Sequence, residues 1–333
     1  MVNIWKKVLE AYHIYPVSIE KQTERVVKVF DGMQEYALKR SFLTEQTMEN
    51  WQHVYRIARE KNVTEILPVY LTRDNAFFHK EESFYYYLTP WIDSPEVTDS
   101  AYNIERTLQT LAQIHKKTRQ TSRIKSDRLK ESFQGFSSFC KQSLDQLHAR
   151  VTDYESRKYM SPFELLYCTH YKGVCHAVGL LQDKLYQIYG EEETEILWSS
   201  SLCHQRVDDT HSKGGYLINW ESGGFEHPAR DLSHYFRGLT GAYNQPEETI
   251  QQAFTVYQKT NHLTVKEMHL VSVYLLNPSF YLSVLKNYTD RRTKKSMVNQ
   301  VKELQQQFRR LEFGMNWVEF IQETYESKEE QPD

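Results

Sequence analysis

The chemistry-bearing residues of this chain cluster in CHQRVDDTHSKGGYLINWES, residues 203–222, which holds His204, Arg206, Asp208, Asp209, His211, Asn219 and Glu221. The pentapeptide YLINW (216–220) reads as a short buried strand ending at Asn219. A turn-forming stretch follows, and Asp231-Leu232 opens a helix. Strand ends of this kind are where many enzymes hold a metal-binding carboxylate. Here the position carries an amide, which keeps one carbonyl acceptor but supplies no negative charge. A second cluster, CTHYKGVCH, brings Cys168, His170, Cys175 and His176 together. Its spacing matches no zinc pattern, so no metal is expected there.

The bulk composition narrows the classes of function. With 333 residues the chain suffices for two modest domains or one bilobal unit. A formal net charge of −3 gives no reason to expect nucleic acid or an acidic membrane as partner. The four cysteines, Cys140, Cys168, Cys175 and Cys203, form no CxxC pair, and reduced thiols are expected. The N-terminal MVNIWKKVLEAYHIY lacks the apolar run of a signal peptide, and no membrane span is expected, which implies cytoplasmic synthesis. Aromatic residues are abundant, with 23 Tyr, 16 Phe and 6 Trp; they fit a Tyr-rich core and surface, or a surface suited to packing in an assembly.

The elements that must position the cluster are legible in outline. Ile4, Val8, Leu9 and Tyr12 are spaced for a short helix, and ERVVKVFDGMQEYALKRS for a hairpin turning at Asp31-Gly32. Thr44 caps a helix over 44–61 whose apolar face is Met48, Trp51, Val54, Tyr55 and Ala58. ILPVYLT and FFHKEESFYYYLTPWID give two or three more strands, the last ended by Pro90, and 90–95 reads as a linker. Residues 1–92 thus form a small β-rich lobe. From residue 101 the pattern turns helical, with Ile104, Leu108, Leu111 and His115 in register, then segments around 128–150, 154–190, 246–259, 264–287 and 293–325. Residues 93–333 are therefore a helical lobe whose strand-rich exception is 199–221, and the tail ESKEEQPD is expected to fray.

This α+β layout, together with YALKRS, YLTPWID, TLAQIHKKT, the 203–221 stretch and ARDLSHYF in that order, resembles the protein-kinase-like superfamily. Within it the chain is similar to the aminoglycoside phosphotransferase/choline kinase group, and above all to CotS-type spore coat proteins, over roughly residues 10–240. The resemblance implies a bilobal fold and assigns positions for phosphoryl transfer, which needs a phosphate loop, a lysine, a catalytic carboxylate and metal-holding oxygens. Lys39 matches the family lysine that contacts nucleotide phosphates, with Glu49 (or Glu45) as its helix partner. His204 matches the histidine that braces the catalytic loop. Arg206 stands in place of the catalytic Asp and cannot accept a proton. Asn219 replaces the Asp that holds magnesium, and His211 lies nearest the metal-holding Asn. Asp231 matches the structural Asp that braces the loop, and Trp220 is likewise retained. The segment VSIEKQTERVVKVF, where the phosphate loop belongs, has no glycine and carries Glu20 and Glu24.

Architectural residues are kept while charge-bearing ones are replaced, so a catalytically inactive kinase-like protein is expected. By resemblance it is a coat component assembled with other coat proteins. Asp208, Asp209 and Glu221 are the acids that a remodelled phosphotransferase would use instead. A non-catalytic nucleotide or ligand sensor is the other alternative. Any ATP binding is expected to be weak and independent of Mg²⁺, and Arg206 is expected to share the cleft with Lys39, paired to an acid of 208–221.

Overall fold

A computed structural model describes residues 2–93, 100–190 and 194–327. The chain forms two compact units, one of Met1–Gln120, Ser200–Glu226 and Lys259–Asn261, the other of Thr121–Ser199, His227–Gln258 and His262–Asp333. The first unit continues through the helix after the linker and takes in the chemistry-bearing 200–226 stretch. Much of that linker, 94–99, lies outside the described residues.

In the first unit, α1 (Val2–Glu10) lays Trp5, Val8 and Leu9 on a five-stranded antiparallel sheet. Its strands are β1 (Ser18–Lys21), β2 (Val26–Phe30), β3 (Glu35–Ser41), β4 (His79–Glu81) and β5 (Phe84–Pro90), in spatial order β1-β2-β3-β5-β4. Alternation along the strands sorts the faces. Val27, Val29, Tyr36 and Leu38 are buried in the core with α1, which leaves Ala37 and Lys39 on the opposite face. The hairpin turn differs from a two-residue Asp-Gly turn. Phe30 pairs with Glu35, so four residues form the loop, and only Gly32 has positive φ (97°). Asp31 acts through its side chain, whose Oδ1 accepts from the Met33 and Gln34 amides at 2.8 Å each.

Helix α2 (Glu45–Glu60) starts as expected at Thr44, in a capping box completed by Thr47, and buries the apolar face read from its spacing. ILPVYLT, in contrast, is not a strand. Pro68 interrupts it and removes a backbone donor. A bridge between Ile66 and Leu217 and a bond from the Tyr70 amide to the Leu88 carbonyl tie it down instead of a strand ladder. These ties matter: the Leu67 amide donates to the Leu217 carbonyl at 3.2 Å and the Leu217 amide to Glu65 at 2.8 Å, which joins the 200–226 stretch to the N-terminal part of the unit. Helix α3 (Ser100–Thr118) buries Ile104, Leu108, Leu111 and His115. β6 (Gln120–Lys125) then leads into the second unit.

The second unit is mainly helical. α4 (Ser126–Glu155) and α5 (Pro162–Tyr189) pack together, with α5 begun by a Ser161/Glu164 capping box and Pro162 in its first turn. β7 (Glu195–Cys203) returns the chain to the first unit. α6 (Ala229–Leu239), α7 (Glu247–Thr260), α8 (Val265–Leu275), α9 (Ser279–Thr289) and α10 (Met297–Ile321) follow, the last running into a π-helical turn, Gln322–Glu326. The helix read over 264–287 is thus two helices. Pro278 cannot continue the ladder, and Asn277 Oδ1 accepts from the Ser279 amide at 3.0 Å at the break. Residues 265–289 together have the length and apolar composition of a membrane span, contrary to the sequence reading. They are nonetheless two helices separated at a proline, and 67% of the apolar window is buried.

The CTHYKGVCH cluster lies along α5, with His170 buried and His176 exposed. His170 stacks on Phe308 at 3.9 Å, its Nε2 donates to Gln305 at 3.2 Å, and burial lowers its pKa to about 4. The unfolded chain protonates this imidazole near its ordinary 6.5, so between pH 6.5 and 4 the unfolded state takes up the extra proton and stability falls with pH. His170→Phe, which keeps a stacked ring, is expected to lose less stability over that interval than the parent in urea melts at stepped pH.

Candidate functional site

Strand register sets the first side chain of the site. Lys39 lies opposite Tyr87 on β5, on the sheet face away from α1, with its side chain 12% exposed. The second group comes from the segment between β7 and β10 (Gly224–Glu226), which pair antiparallel with Cys203 opposite Gly224. A 3₁₀ turn (Asp209–His211), two short strands β8 (Ser212–Lys213) and β9 (Tyr216–Leu217), and a second 3₁₀ turn (Trp220–Ser222) fill the interval. Gly214 and Gly215 both take positive φ at the β8–β9 turn.

Asn219 adopts the left-handed conformation (φ 68°, ψ 52°), which short polar side chains tolerate. Strand geometry therefore ends before Asn219. The 3₁₀ turn brings Glu221 round to Lys39, at 2.8 Å. It sends Trp220 the other way, fully buried, with its indole N–H donating to the Leu217 carbonyl at 3.0 Å and its ring edge-on to His204.

The polar groups form one directed chain. The Lys39 ammonium donates to Asn219 Oδ1. Asn219 Nδ2 donates to His211 Nε2 at 2.8 Å, and His211 Nδ1 donates to the Arg206 carbonyl at 2.8 Å. These partners assign His211 as the neutral Nδ1–H tautomer and orient the Asn219 amide. His204 braces the same loop: its Nε2 donates to the Ile218 carbonyl at 2.8 Å and its Nδ1 accepts from the Arg206 amide at 3.3 Å. Beside the chain, Glu221 also accepts from the Tyr87 hydroxyl at 3.2 Å and lies 3.9 Å from Arg25. Burial lowers the Lys39 pKa, Glu221 opposes that, and Arg25 adds to it. Burial, with Glu221 nearby, raises the Tyr87 phenol well above its usual value of 10.

Several expected residues lie elsewhere. Glu49 is exposed on α2, because Met48 and Trp51 take the inward positions around it, so it does not pair with Lys39; Glu45 pairs with Lys80 instead. Arg206 is also exposed and has no ion pair among the described residues, since its backbone, not its side chain, is what the two histidines hold. Asp208 caps the 3₁₀ turn by accepting from the Thr210 and His211 amides at 2.8 and 3.2 Å, and Asp209 is exposed within that turn. Asp231 is a separate case, fully buried in the first turn of α6.

Above Lys39 lies a cavity of about 440 Å³ lined by Arg25, Lys39, Tyr87, Trp91, His211 and Lys213, among others. Its cationic lining includes Arg25 and Lys213, which the sequence reading did not single out. Arg25 follows a turn whose amides are already used: Thr23 Oγ1 accepts from the Arg25 and Val26 amides at 3.2 and 3.0 Å, and Gln22 and Thr23 donate to the Val26 carbonyl. A phosphate-cradling loop needs such amides free.

Glu221→Gln leaves a buried ammonium without its counter-charge, and a loss of roughly 3 kcal/mol is expected by denaturant melts. Lys39→Met with Glu221→Gln should recover part of that loss. Asn219→Asp replaces the donor facing His211 Nε2 with an acceptor. The variant should be destabilised in the same denaturant melts, and a variant as stable as the parent would rule out the donor assignment.

Among curated proteins no sequence match is significant. Solved structures match over nearly the whole chain. An aminoglycoside phosphotransferase from Alicyclobacillus acidocaldarius aligns with a TM-score of 0.71 at 18% identity, covering 97% of this chain and 96% of that one. A spectinomycin phosphotransferase in its AMP-bound complex aligns at 0.58 and 14%, covering 94% and 96%. A microcompartment-associated aminopropanol kinase aligns at 0.56 and 14%, covering 96% and 98%. At these identities the likeness establishes the fold, which is kinase-like: a small antiparallel sheet region followed by a large helical part. Residues 6–318 match the family described as "Spore coat putative kinase YutH", and the chain belongs to that family of CotS-like spore coat kinase homologues.

Proposed function

We propose that this protein is a kinase-like chain without phosphotransfer activity, serving as a structural or interaction component of the spore coat alongside other coat proteins. The observation that carries the reading is the Lys39–Asn219–His211 chain. The resemblance makes 219 and, nearest it, 211 the positions that would hold magnesium. Magnesium demands near-octahedral oxygen ligands. Here the one side-chain oxygen of Asn219 accepts from an ammonium, its nitrogen donates to His211, and the imidazole supplies no oxygen. These residues do not fit the ion.

Two of the three acids that could substitute already have partners, and the third, Asp209, is exposed. Asp208 caps a turn, and Glu221 neutralises Lys39. Removing a metal anchor and a catalytic base each costs several kcal/mol of transition-state stabilisation, roughly a thousandfold or more in rate. Membership of a spore coat family supports assembly into the coat after cytoplasmic synthesis. A second reading, non-catalytic binding of a nucleotide or other small anion, draws support from the cavity and its cations Arg25, Lys39 and Lys213. Such binding would be weak and would not need a metal.

Purified protein is expected to transfer no phosphate from ATP to sugars, amino alcohols or itself above background. Calorimetric titration of ATP should give weak heats that Mg²⁺ leaves unchanged. Tight binding that requires Mg²⁺ and is lost on chelation would overturn the proposal. Arg206→Asp with Asn219→Asp should lower the melting temperature and make it sensitive to Mg²⁺, because a carboxylate at 219 loses the donor facing His211 and adds a second negative charge beside Glu221 for Lys39 alone to offset.

A further inference from the structure

Far along the sequence from the kinase-like site, residues 290–310 (DRRTKKSMVNQVKELQQQFRR) carry seven basic and two acidic side chains. The net charge of this segment is 7 − 2 = +5, whereas the whole chain carries −3, so the remainder carries −8. In the second unit this segment forms the loop after α9 and the first half of α10. Two adjoining grooves run along it, of about 530 and 840 Å³, and Lys295 and Glu303 line both.

The two acids are already neutralised locally. Glu303 pairs with Lys295 at 2.7 Å and Asp290 with Arg292 at 3.1 Å. That leaves Arg291, Lys294, Lys302, Arg309 and Arg310 without an ion pair among the described residues, Arg310 being held by the Thr240 carbonyl and Gln307. The first three are exposed, and Arg309 lies 5.3 Å over the ring of exposed Tyr243. Between the cations the groove is lined by side-chain amides, among them Asn299, Gln300 and Gln306.

We infer that this groove is a docking surface for an extended acidic polypeptide segment. The chemistry matches such a partner at both levels. Spaced ammonium and guanidinium groups suit carboxylates carried at intervals along a chain, and the amides between them can donate to and accept from its backbone. Nucleic acid fits less well. A densely charged phosphate backbone would meet Glu303 in the groove lining and a chain whose remainder carries −8, and the exposed ring of Tyr243 already carries Arg309 on its face. A peptide engages only the local charge, over the Debye length of about 8 Å at physiological ionic strength.

Fluorescence anisotropy with a labelled, extended Glu/Asp-rich twelve-residue peptide tests this on the full chain. Saturable binding is expected that weakens roughly tenfold between 50 and 300 mM salt. Lys294→Glu with Lys302→Glu should weaken it by about another tenfold, while leaving the melting temperature unchanged because both side chains are exposed. A matched Gln/Asn peptide should not bind. Three results would each overturn the inference: no saturable binding at low salt, binding indifferent to the charge reversals, or a duplex DNA or anionic vesicle bound as tightly as the peptide. Should the double variant melt early, Arg291→Glu with Lys294→Glu, confined to the loop ahead of α10, serves in its place.

Discussion

A buried ammonium needs a counter-charge, and most of the first unit's polar architecture answers to that need at Lys39. Desolvation disfavours the charged lysine, and Glu221 at 2.8 Å opposes that effect in part. For this pair to form, β3 must present Lys39 on the face away from α1, and residues 219–222 must leave strand geometry and turn. The left-handed Asn219 and the 3₁₀ turn after it accomplish the second, and the same turn buries Trp220. The parallel bridge from Ile66 to Leu217 and the paired bonds around it hold that turn against the N-terminal part of the unit. The ion pair, the turn and the stitching are therefore one constraint expressed three times.

Hydrogen-bond direction then explains why an amide rather than a carboxylate suits position 219. The neighbours offer one donor, the Lys39 ammonium, and one acceptor, His211 Nε2, and only a carboxamide matches both. Change the residue and one end of the chain is left with like facing like. In a site built this way the side chains match one another's hydrogen-bonding groups, which is the arrangement the proposed function rests on. The β1–β2 turn obeys the same logic. Its amides are consumed by Thr23 and by Val26, so the segment that the resemblance aligns with a phosphate loop is a closed turn here.

In the second unit the distribution of charge, rather than a polar core, is the distinctive feature. α10 is amphipathic enough to bury Leu304, Leu311 and Trp317, yet its N-terminal half and the loop before it collect basic residues in a chain that is acidic overall. Charges that stabilised the fold would be paired inside it. Those left over at the surface act outward, on whatever comes within a Debye length.

What the sequence by itself determined were features with short-range causes. Helical spacing located the buried faces of α2 and α3, Thr44 marked a cap, Pro90 ended a strand, and the identity of residue 219 announced a missing negative charge. Motif order carried the kinase-like fold and the spore coat family. Tertiary structure decided whatever depends on direction or on distant partners. Lys39 took Glu221, 182 positions away, rather than the nearby Glu49, because helix phase turned Glu49 to solvent while a left-handed residue swung Glu221 inward. ILPVYLT has strand composition but lost its ladder to Pro68, and 264–287 has helical composition but broke at Pro278. Arg206 occupies a catalytic position in the sequence yet contributes only its backbone, since the two histidines bind its carbonyl and amide and leave the guanidinium exposed. Composition and spacing fix which groups are available. Which of them meet is set by backbone dihedrals and strand register, and these are settled only when the whole unit packs.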